Sequence, residues 1–275
     1  MVLHYRTRPR LTKTASNQHH KQFLNSWFER TAMELPGKIA LVTGGAHRVG
    51  REIAIALAQA GCHLAIHYHN SEKDAKDTAS AVKALGVNSA IFRSDLRKLD
   101  QIEGLFQLID SEFGTLDILV NSAAIMNKIA FQKADEEDWH NTIDLNLKAP
   151  FFCIQQAAER MQINGAGAIV NISDLAGLRP WREYPVHSVS KAGLEMLTKV
   201  AARAYAPEIR VNAVAPGPVL KPDGMPDARW HEIGDALPLQ RPGNASDVAR
   251  AVIFLLENDF ITGETLVVDG GNRLS

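Results

Sequence analysis

Asp174, His187 and Lys191 are the residues of this chain whose types and spacing best fit acid–base chemistry. His187 and Lys191 are four positions apart, so on a helix they lie on the same face about one turn apart. Asp174 follows the apolar run from Ala168 to Ile172, which has the composition of a buried strand. A strand that ends near an acid, followed by a helix with a base and a lysine, predicts a proton-relay site.

The imidazole of His187 suits proton transfer, because the reference pKa of histidine, about 6.5, lies near neutrality. The ammonium of Lys191 favours the neutral ring, which can accept a proton from an alcohol. The carboxylate of Asp174 favours the charged ring, which can protonate a reduced carbonyl, and the sequence leaves this balance open. Tyr184 is an alternative donor on the loop before Pro185, where we expect the helix to begin.

Short apolar runs alternate with longer helical stretches from Lys38 onward. This alternation predicts a single-domain, doubly wound α/β Rossmann fold over residues 36–275, with a parallel sheet of about seven strands and helices on both faces. Ligands of such folds bind at the carboxyl ends of the strands. The predicted strands are Ile39–Thr43, His63–Tyr68, Ser89–Arg93, Leu116–Asn121, Ala168–Ile172, Arg210–Ala215 and Glu264–Asp269, and the helices are Gly50–Ala60, Ser71–Leu85, Lys98–Phe113, Glu136–Ile163, Val186–Ala206 and Ala245–Glu257.

The composition is that of an ordinary globular protein, with 45% hydrophobic residues and a formal net charge of −1. This charge gives no reason to expect a nucleic-acid partner, and no apolar run approaches the roughly 18–20 residues that span a membrane. Residues 1–35 are basic and polar, which fits a transit peptide, a disordered or helical arm, or sequence upstream of a true start at Met33. We expect a cytoplasmic protein, with organelle targeting left open.

The turn after the first predicted strand reads T-G-x-x-x-R-x-G, from Thr43 to Gly50. Glycine permits a tight turn and close approach to a phosphate, and a helix N-terminus favours negative charge. The second strand ends in His69, Asn70 and Ser71, with no acid until Glu72 to accept hydrogen bonds from an adenosine ribose. The first turn therefore predicts a dinucleotide site, with Gly44, Arg48, Val49 and Gly50 at the phosphates.

In order and spacing, these motifs resemble those of the short-chain dehydrogenases and reductases, over about Pro36 to Asn272. That family carries Ser, thirteen residues, and then Tyr-x-x-x-Lys, so here Asp174 stands for the serine and His187 for the tyrosine. The resemblance implies that Lys191 holds the nicotinamide ribose and that Asn146 holds a water beside it. It also implies cofactor contacts from Asp95, Leu96, Asn121, Ser122, Ala123, Pro216 and Gly217.

Within that family the chain is most similar to pteridine reductases, which also carry an arginine at position 48 and an aspartate at position 174. Their His-Tyr-His-Arg-Ser phosphate segment corresponds to residues 67–71, with Asn70 in the arginine position. We therefore expect NADP, with NAD possible. Met126 replaces the family's stacking aromatic, which argues against a pterin, although Trp181 offers another wall.

The resemblance implies an NAD(P)H-dependent oxidoreductase that transfers hydride between nicotinamide and a small carbonyl, imine or pterin. One alternative is a catalytically degenerate nucleotide-binding sensor or scaffold, and another is a 3-ketoacyl-type reductase. The segment from Pro218 to Pro226 and the helix from Asp227 are expected to cover the substrate. By family resemblance we expect a homotetramer formed through helices Glu136–Ile163 and Val186–Ala206. The residues suggest no metal site.

Overall fold

The structure is a computed structural model that describes residues 33–274. The arm, transit-peptide and alternative-start hypotheses for the basic N-terminal segment concern mainly residues 1–32, which lie outside the described part. Just after it, Leu35 is buried and its carbonyl accepts a hydrogen bond from the thiol of Cys62. Among the described residues, no helix combines the length and apolar character that crossing a membrane requires.

Seven parallel strands form one sheet in the order β3-β2-β1-β4-β5-β6-β7, which confirms the predicted fold class. The order reverses between β1 and β4, so the loops that follow these two strands diverge and leave a crevice at the carboxyl edge. The strands are β1 Ile39–Thr43, β2 His63–Tyr68, β3 Ser89–Arg93, β4 Ile118–Asn121, β5 Gly167–Ile172, β6 Ile209–Pro216 and β7 Thr265–Val268.

The helices cover both faces of this sheet. Adjacent residues of one strand point to opposite faces, and in β1 Val42 packs in one hydrophobic core while Leu41 packs in the other. Helices α1, α2 and α8 cover the Val42 face, and helices α3, α5 and α6 cover the Leu41 face. The helices are α1 Arg48–Gln59, α2 Glu72–Ala84, α3 Leu99–Phe113, α4 Glu136–Ile143, α5 Ala149–Asn164, α6 Pro185–Tyr205, α7 Asp227–Asp235 and α8 Ala245–Glu257.

The predicted helical stretch Glu136–Ile163 is helical throughout, but it is not a uniform α-helix. A π-helical segment, Asp144–Lys148, separates α4 from α5. Such segments insert a wider turn into an α-helix and are frequent at functional sites. The sequence of this segment gives no sign of the change in hydrogen bonding. The helix α6 begins at Pro185 as predicted.

Candidate functional site

A cavity of about 830 Å³ opens at the carboxyl edge of the sheet, where the strand order reverses. The loops after β1 to β6 all contribute to its walls. Most of the residues that the sequence predicts for the site share this one cavity: Gly44, Arg48, Val49, Gly50, His69, Asn70, Ser71, Asp95, Leu96, Ser122, Ala123, Asp174, His187, Lys191, Pro216 and Gly217.

Two asparagines of the predicted set do not line the cavity. Asn121 is buried inside the sheet, and its amide donates to Oδ1 of Asn171 at 2.9 Å. Asn146 is buried behind the cavity wall and makes its contacts with the backbone of Ile125. Both side chains therefore act on the structure of the walls, since neither faces the open volume.

The turn between β1 and α1 has the close packing that a phosphate-binding loop needs. Gly44 has φ +64°, and a Cβ there would lie 3.0 Å from Cα of Ala123. A Cβ on Gly50 would lie 2.2 Å from the carbonyl oxygen of Gly44, so only glycine fits. Arg48 also has a positive φ, 55°, and its guanidinium lies 3.7 Å from the carboxylate of Asp223, on the loop after β6.

The far end of the cavity is formed by the loops after β2 and β3. His69 and Asn70 are exposed there, and Ser71 precedes α2 at its N-cap position. The guanidinium of Arg97 donates hydrogen bonds to both carboxylate oxygens of Asp95, from Nε at 2.9 Å and from Nη2 at 3.0 Å. This arginine holds the pKa of the Asp95 carboxyl below its usual value. Sequence reasoning missed Arg97, although it lies only two residues after Asp95.

His187 is 3% exposed and occupies the first turn of α6. Its Nδ1 lies 3.1 Å from the carbonyl oxygen of Ile125. Both amide hydrogens of Asn146 are already used, toward the carbonyl of Ile125 at 2.8 Å and Oγ of Ser190 at 3.1 Å. Since a carbonyl only accepts, Nδ1 carries the hydrogen and donates it to Ile125.

The other ring nitrogen of His187 faces the acid of the cluster. Nε2 lies 3.7 Å from Oδ2 of Asp174 and has no hydrogen-bond partner within residues 33–274. Asp174 is held in place because its Oδ1 accepts from the backbone N–H of Ala176 at 2.8 Å. In the neutral ring Nε2 is an acceptor; in the charged ring it is a donor aimed beside a carboxylate.

Lys191 lies one turn beyond His187 on α6, as predicted, and is 4% exposed. Its ammonium donates to the carbonyl oxygen of Ile172 at 2.7 Å. Burial lowers the pKa of Lys191 to about 8, an effect that the nearby carboxylates of Asp174 and Glu195 oppose. The lysine therefore carries its charge near neutral pH at the end of β5.

The side chain of Asn146 binds the backbone of Ile125, and its predicted role in holding a water beside the lysine stays a prediction. Asn146 lies in the π-helical segment, where its Oδ1 accepts from the N–H of Ile125 at 2.9 Å and its amide donates to the same residue's carbonyl. It thus fixes the carbonyl that orients His187. The backbone of Ile125 carries no side-chain signal, so the sequence offered no means of finding this contact.

Aromatic and apolar side chains form the remaining wall of the cavity. Trp181 and Tyr184 contact each other edge to face, with ring centroids 5.9 Å apart. Met126 lines the cavity and is 47% exposed. The loop and helix after β6 add Leu220, Met225, Trp230 and Ile233, as predicted for a substrate-covering segment.

Comparison with known proteins shows the family. Residues 44–273 match the family model described as Enoyl-(Acyl carrier protein) reductase. The chain is 37% identical over 239 residues to the 3-oxoacyl-[acyl-carrier-protein] reductase FabG of Staphylococcus aureus, covering 85% of this chain and 97% of the relative. It is 32% identical over 251 residues to a short-chain type dehydrogenase/reductase of Picea abies, covering 86% of this chain and 93% of the relative.

A solved structure from Sinorhizobium meliloti 1021, assigned as a short-chain alcohol dehydrogenase, superposes with a TM-score of 0.83. It is 32% identical and covers 88% of this chain and 98% of its own. The strand order and the glycine turn after β1 agree with these similarities, which extend over most of the chain. The chain belongs to the short-chain dehydrogenase/reductase family of oxidoreductases.

Proposed function

We propose that this protein is an NADPH-dependent reductase of a small carbonyl compound, with imines and pterins as the other substrate classes considered, and that His187 is its proton donor. The observation that carries the proposal is the buried ring of His187, held through Nδ1 by the carbonyl of Ile125 and presenting Nε2 beside Asp174. This arrangement supplies a proton at one fixed point of the cavity wall.

The residues present fit a dinucleotide. The glycine turn leaves room for a phosphate to approach the backbone at Gly44 and Gly50, where a Cβ would collide with backbone. Arg48, His69 and Ser71 offer donors for a 2′-phosphate, and no acid before Glu72 opposes it. We take NADP as the cofactor in preference to NAD on this basis, with Lys191 as the donor to the ribose hydroxyls.

A bound nicotinamide would supply hydride to the substrate carbon. The task of the chain is then to deliver a proton to the carbonyl oxygen, which becomes an alcohol. Imidazolium at His187 donates this proton from Nε2, and the carboxylate of Asp174 stabilises the charged ring before transfer. In the reverse direction neutral Nε2 accepts the alcohol proton. The Ile125 carbonyl keeps the same nitrogen pointing at the substrate in both directions.

Asp174 and Arg48 further support placement in the pteridine reductase-like branch, with histidine taking the place of the usual tyrosine. The edge-to-face pair of Trp181 and Tyr184 offers an aromatic wall for a flat ring. The exposed Met126 argues for a smaller carbonyl compound instead. A substrate panel that includes pterins, cyclic imines and simple ketones separates these classes.

The test is the rate of NADPH oxidation with an accepted substrate. We expect His187→Phe to lose about 100-fold or more, the usual contribution of a general acid, and Asp174→Asn to lose a large part of the rate as well. NADPH affinity, measured by calorimetry, should stay near that of the wild type. His140→Gln is the control, because His140 is a solvent-exposed histidine on α4.

Full turnover in His187→Phe would remove His187 from the mechanism. If Tyr184→Phe were then inactive, the proton would come from the tyrosine that lies at the N-cap of α6. NADPH binding without turnover on the whole panel would instead favour the sensor or scaffold alternative.

A second candidate is reduction of 3-oxoacyl groups, which the similarity to the FabG reductases favours. The name of that relative gives a substrate attached to an acyl carrier protein. Comparing a 3-oxoacyl thioester on carrier protein with the same acyl group on a short thiol tests this candidate. A rate at least ten times higher on the carrier, roughly 1.4 kcal/mol of added recognition, would support it.

We also propose a homotetramer, and cytoplasmic residence of the domain formed by residues 36–275. The outer face of α6 exposes Val189, Met196 and Val200, which supports burial of that helix against a second copy. Both cysteines, Cys62 and Cys153, are buried and unbridged, which fits a reducing compartment. Light scattering should report four copies, and Met196→Lys with Val200→Lys should lower that number.

A further inference from the structure

We infer that His67 is a positioning residue for the dinucleotide, because its imidazole ties the phosphate turn after β1 to the loop after β3. This inference rests on the cofactor proposed above. His67 lies near the end of β2, between these two loops, and is 2% exposed. It lines the inner end of the cavity but is not a predicted contact residue.

Each ring nitrogen of His67 has one partner, and the partners are on different loops. The backbone N–H of Gly44 lies 3.1 Å from Nδ1, and the carbonyl oxygen of Ser94 lies 3.0 Å from Nε2. A backbone N–H can only donate and a carbonyl can only accept. The ring must therefore be neutral with its hydrogen on Nε2.

The two loops joined by this ring both line the cavity that we propose for the dinucleotide. Gly44 begins the turn whose close approach to Ala123 leaves no room for a side chain. Ser94 directly precedes Asp95 and Leu96, which line the cavity. The backbone continues the same connection, since the N–H of Gly45 donates to the carbonyl of His67 and that of Ser94 donates to Tyr68.

The imidazole of His67 stays neutral near physiological pH. Burial lowers the pKa of His67 to about 4, although its bond to Ser94 acts in the opposite direction. A second ring hydrogen would face the N–H of Gly44 and break the link to the phosphate turn. The imidazole thus serves as a fixed acceptor for Gly44, which a charged histidine could not be.

The test compares two variants of similar shape. In His67→Asn, Oδ1 occupies the place of Nδ1 relative to Cβ and can accept from Gly44, whereas His67→Leu has the same branching and no acceptor. We expect the Kd for NADPH, measured by calorimetry, to rise about tenfold in His67→Leu, the effect of one buried hydrogen bond. His67→Asn keeps an acceptor for Gly44 but loses the bond to Ser94, so we expect an intermediate rise of about threefold on the same reasoning.

Ser89→Ala is the matched control. It removes the buried hydrogen bond from the Ser89 hydroxyl to the carbonyl of Ala79, and Ser89 lies at the amino end of β3, whereas the cavity lies at the carboxyl ends of the strands. Its Kd for NADPH should equal that of the wild type, and urea unfolding of all variants measures their general loss of stability. Equal NADPH affinity in wild type, His67→Asn and His67→Leu would overturn the inference and leave the cofactor proposal intact. A wild type that binds no NADPH would refute both.

A second test measures the tautomer of the His67 ring in the wild-type protein by NMR. Long-range proton–nitrogen NMR distinguishes the ring tautomers, and His67→Asn identifies the resonance of His67. We expect a protonated Nε2 and an unprotonated Nδ1 that stay unchanged between pH 8 and about 6, well above the lowered pKa. A ring with its hydrogen on Nδ1 would overturn the inference even if His67→Leu failed to fold.

Discussion

Alanine usually makes a helix more stable than glycine does, but the left-handed backbone of Arg48 should reverse this order of stability at position 48. Arg48 is the first residue of α1 and has φ 55°. A residue with a Cβ in this conformation costs about 1–2 kcal/mol, which glycine avoids. Glycine also loses about 0.5–1 kcal/mol more conformational freedom on folding than alanine does. We therefore expect Arg48→Gly to be about 0.5–1 kcal/mol more stable than Arg48→Ala.

The ion pair with Asp223 does not disturb this comparison, because both variants lack the guanidinium and the carboxylate of Asp223 is fully exposed. The assay is urea unfolding followed by tryptophan fluorescence, with the free energy of unfolding obtained by linear extrapolation. Both variants should also bind NADPH more weakly than the wild type, and to the same extent, since each loses one phosphate donor.

Arg51 provides the matched control, because it is the same residue type in the same helix and lies outside the set of positive-φ residues. There Arg51→Ala should be more stable than Arg51→Gly, by up to about 1 kcal/mol. If alanine were also the more stable residue at position 48, by a similar amount, the backbone of the turn would not be left-handed.

Three further predictions concern the walls of the site. Burial lowers the pKa of Lys191 to about 8, from 10.5 for an unperturbed lysine. Between these values the unfolded chain binds more protons than the folded chain, so the free energy of unfolding should rise with pH. Lys191→Met should flatten this rise when urea unfolding at pH 7.5 is compared with that at pH 10. Asn146→Leu leaves the part-buried N–H of Ile125 without a partner, while the Ile125 carbonyl keeps His187 as its donor. We expect it to cost about 1–3 kcal/mol in urea unfolding, and a loss below about 0.5 kcal/mol would contradict the assigned contacts. Arg97→Met should raise the pKa of Asp95, since Arg97 is what lowers it, and carboxyl-carbon NMR titration would show no change if that pairing were absent.

The sequence was sufficient to predict the strands of the sheet and most residues of the cavity wall, and the reason is physical. Strands such as Ile39–Thr43 are buried on both faces, so they appear as short apolar runs whose limits are sharp. Once the strands are known, the carboxyl ends of a parallel sheet bring their loops together without further information. Gly44, Asp95 and Asp174 are far apart in the chain and share the cavity for that reason.

Contacts that involve backbone atoms could not be predicted from the sequence. The π-helical segment between α4 and α5 changes the backbone hydrogen bonding, which the sequence does not reveal, so Asn146 was expected on a regular helix near Lys191. Its partner is the backbone of Ile125, 21 positions away in the chain. His67 was overlooked for a related reason, because a histidine inside an apolar strand usually reads as a core residue with satisfied hydrogen bonds.

The role of position 187 depends on these unseen backbone contacts more than on the motif that surrounds it. Spacing alone places a histidine one turn before Lys191 and near Asp174, yet either ring nitrogen could face the substrate. The carbonyl of Ile125 decides between them, and Asn146 fixes that carbonyl through two hydrogen bonds of its own. A tyrosine has one polar atom and needs no such selection, whereas a histidine that donates from Nε2 requires an acceptor at Nδ1. The proton transfer that we propose for His187 therefore depends on Asn146 and Ile125, which hold the ring from behind.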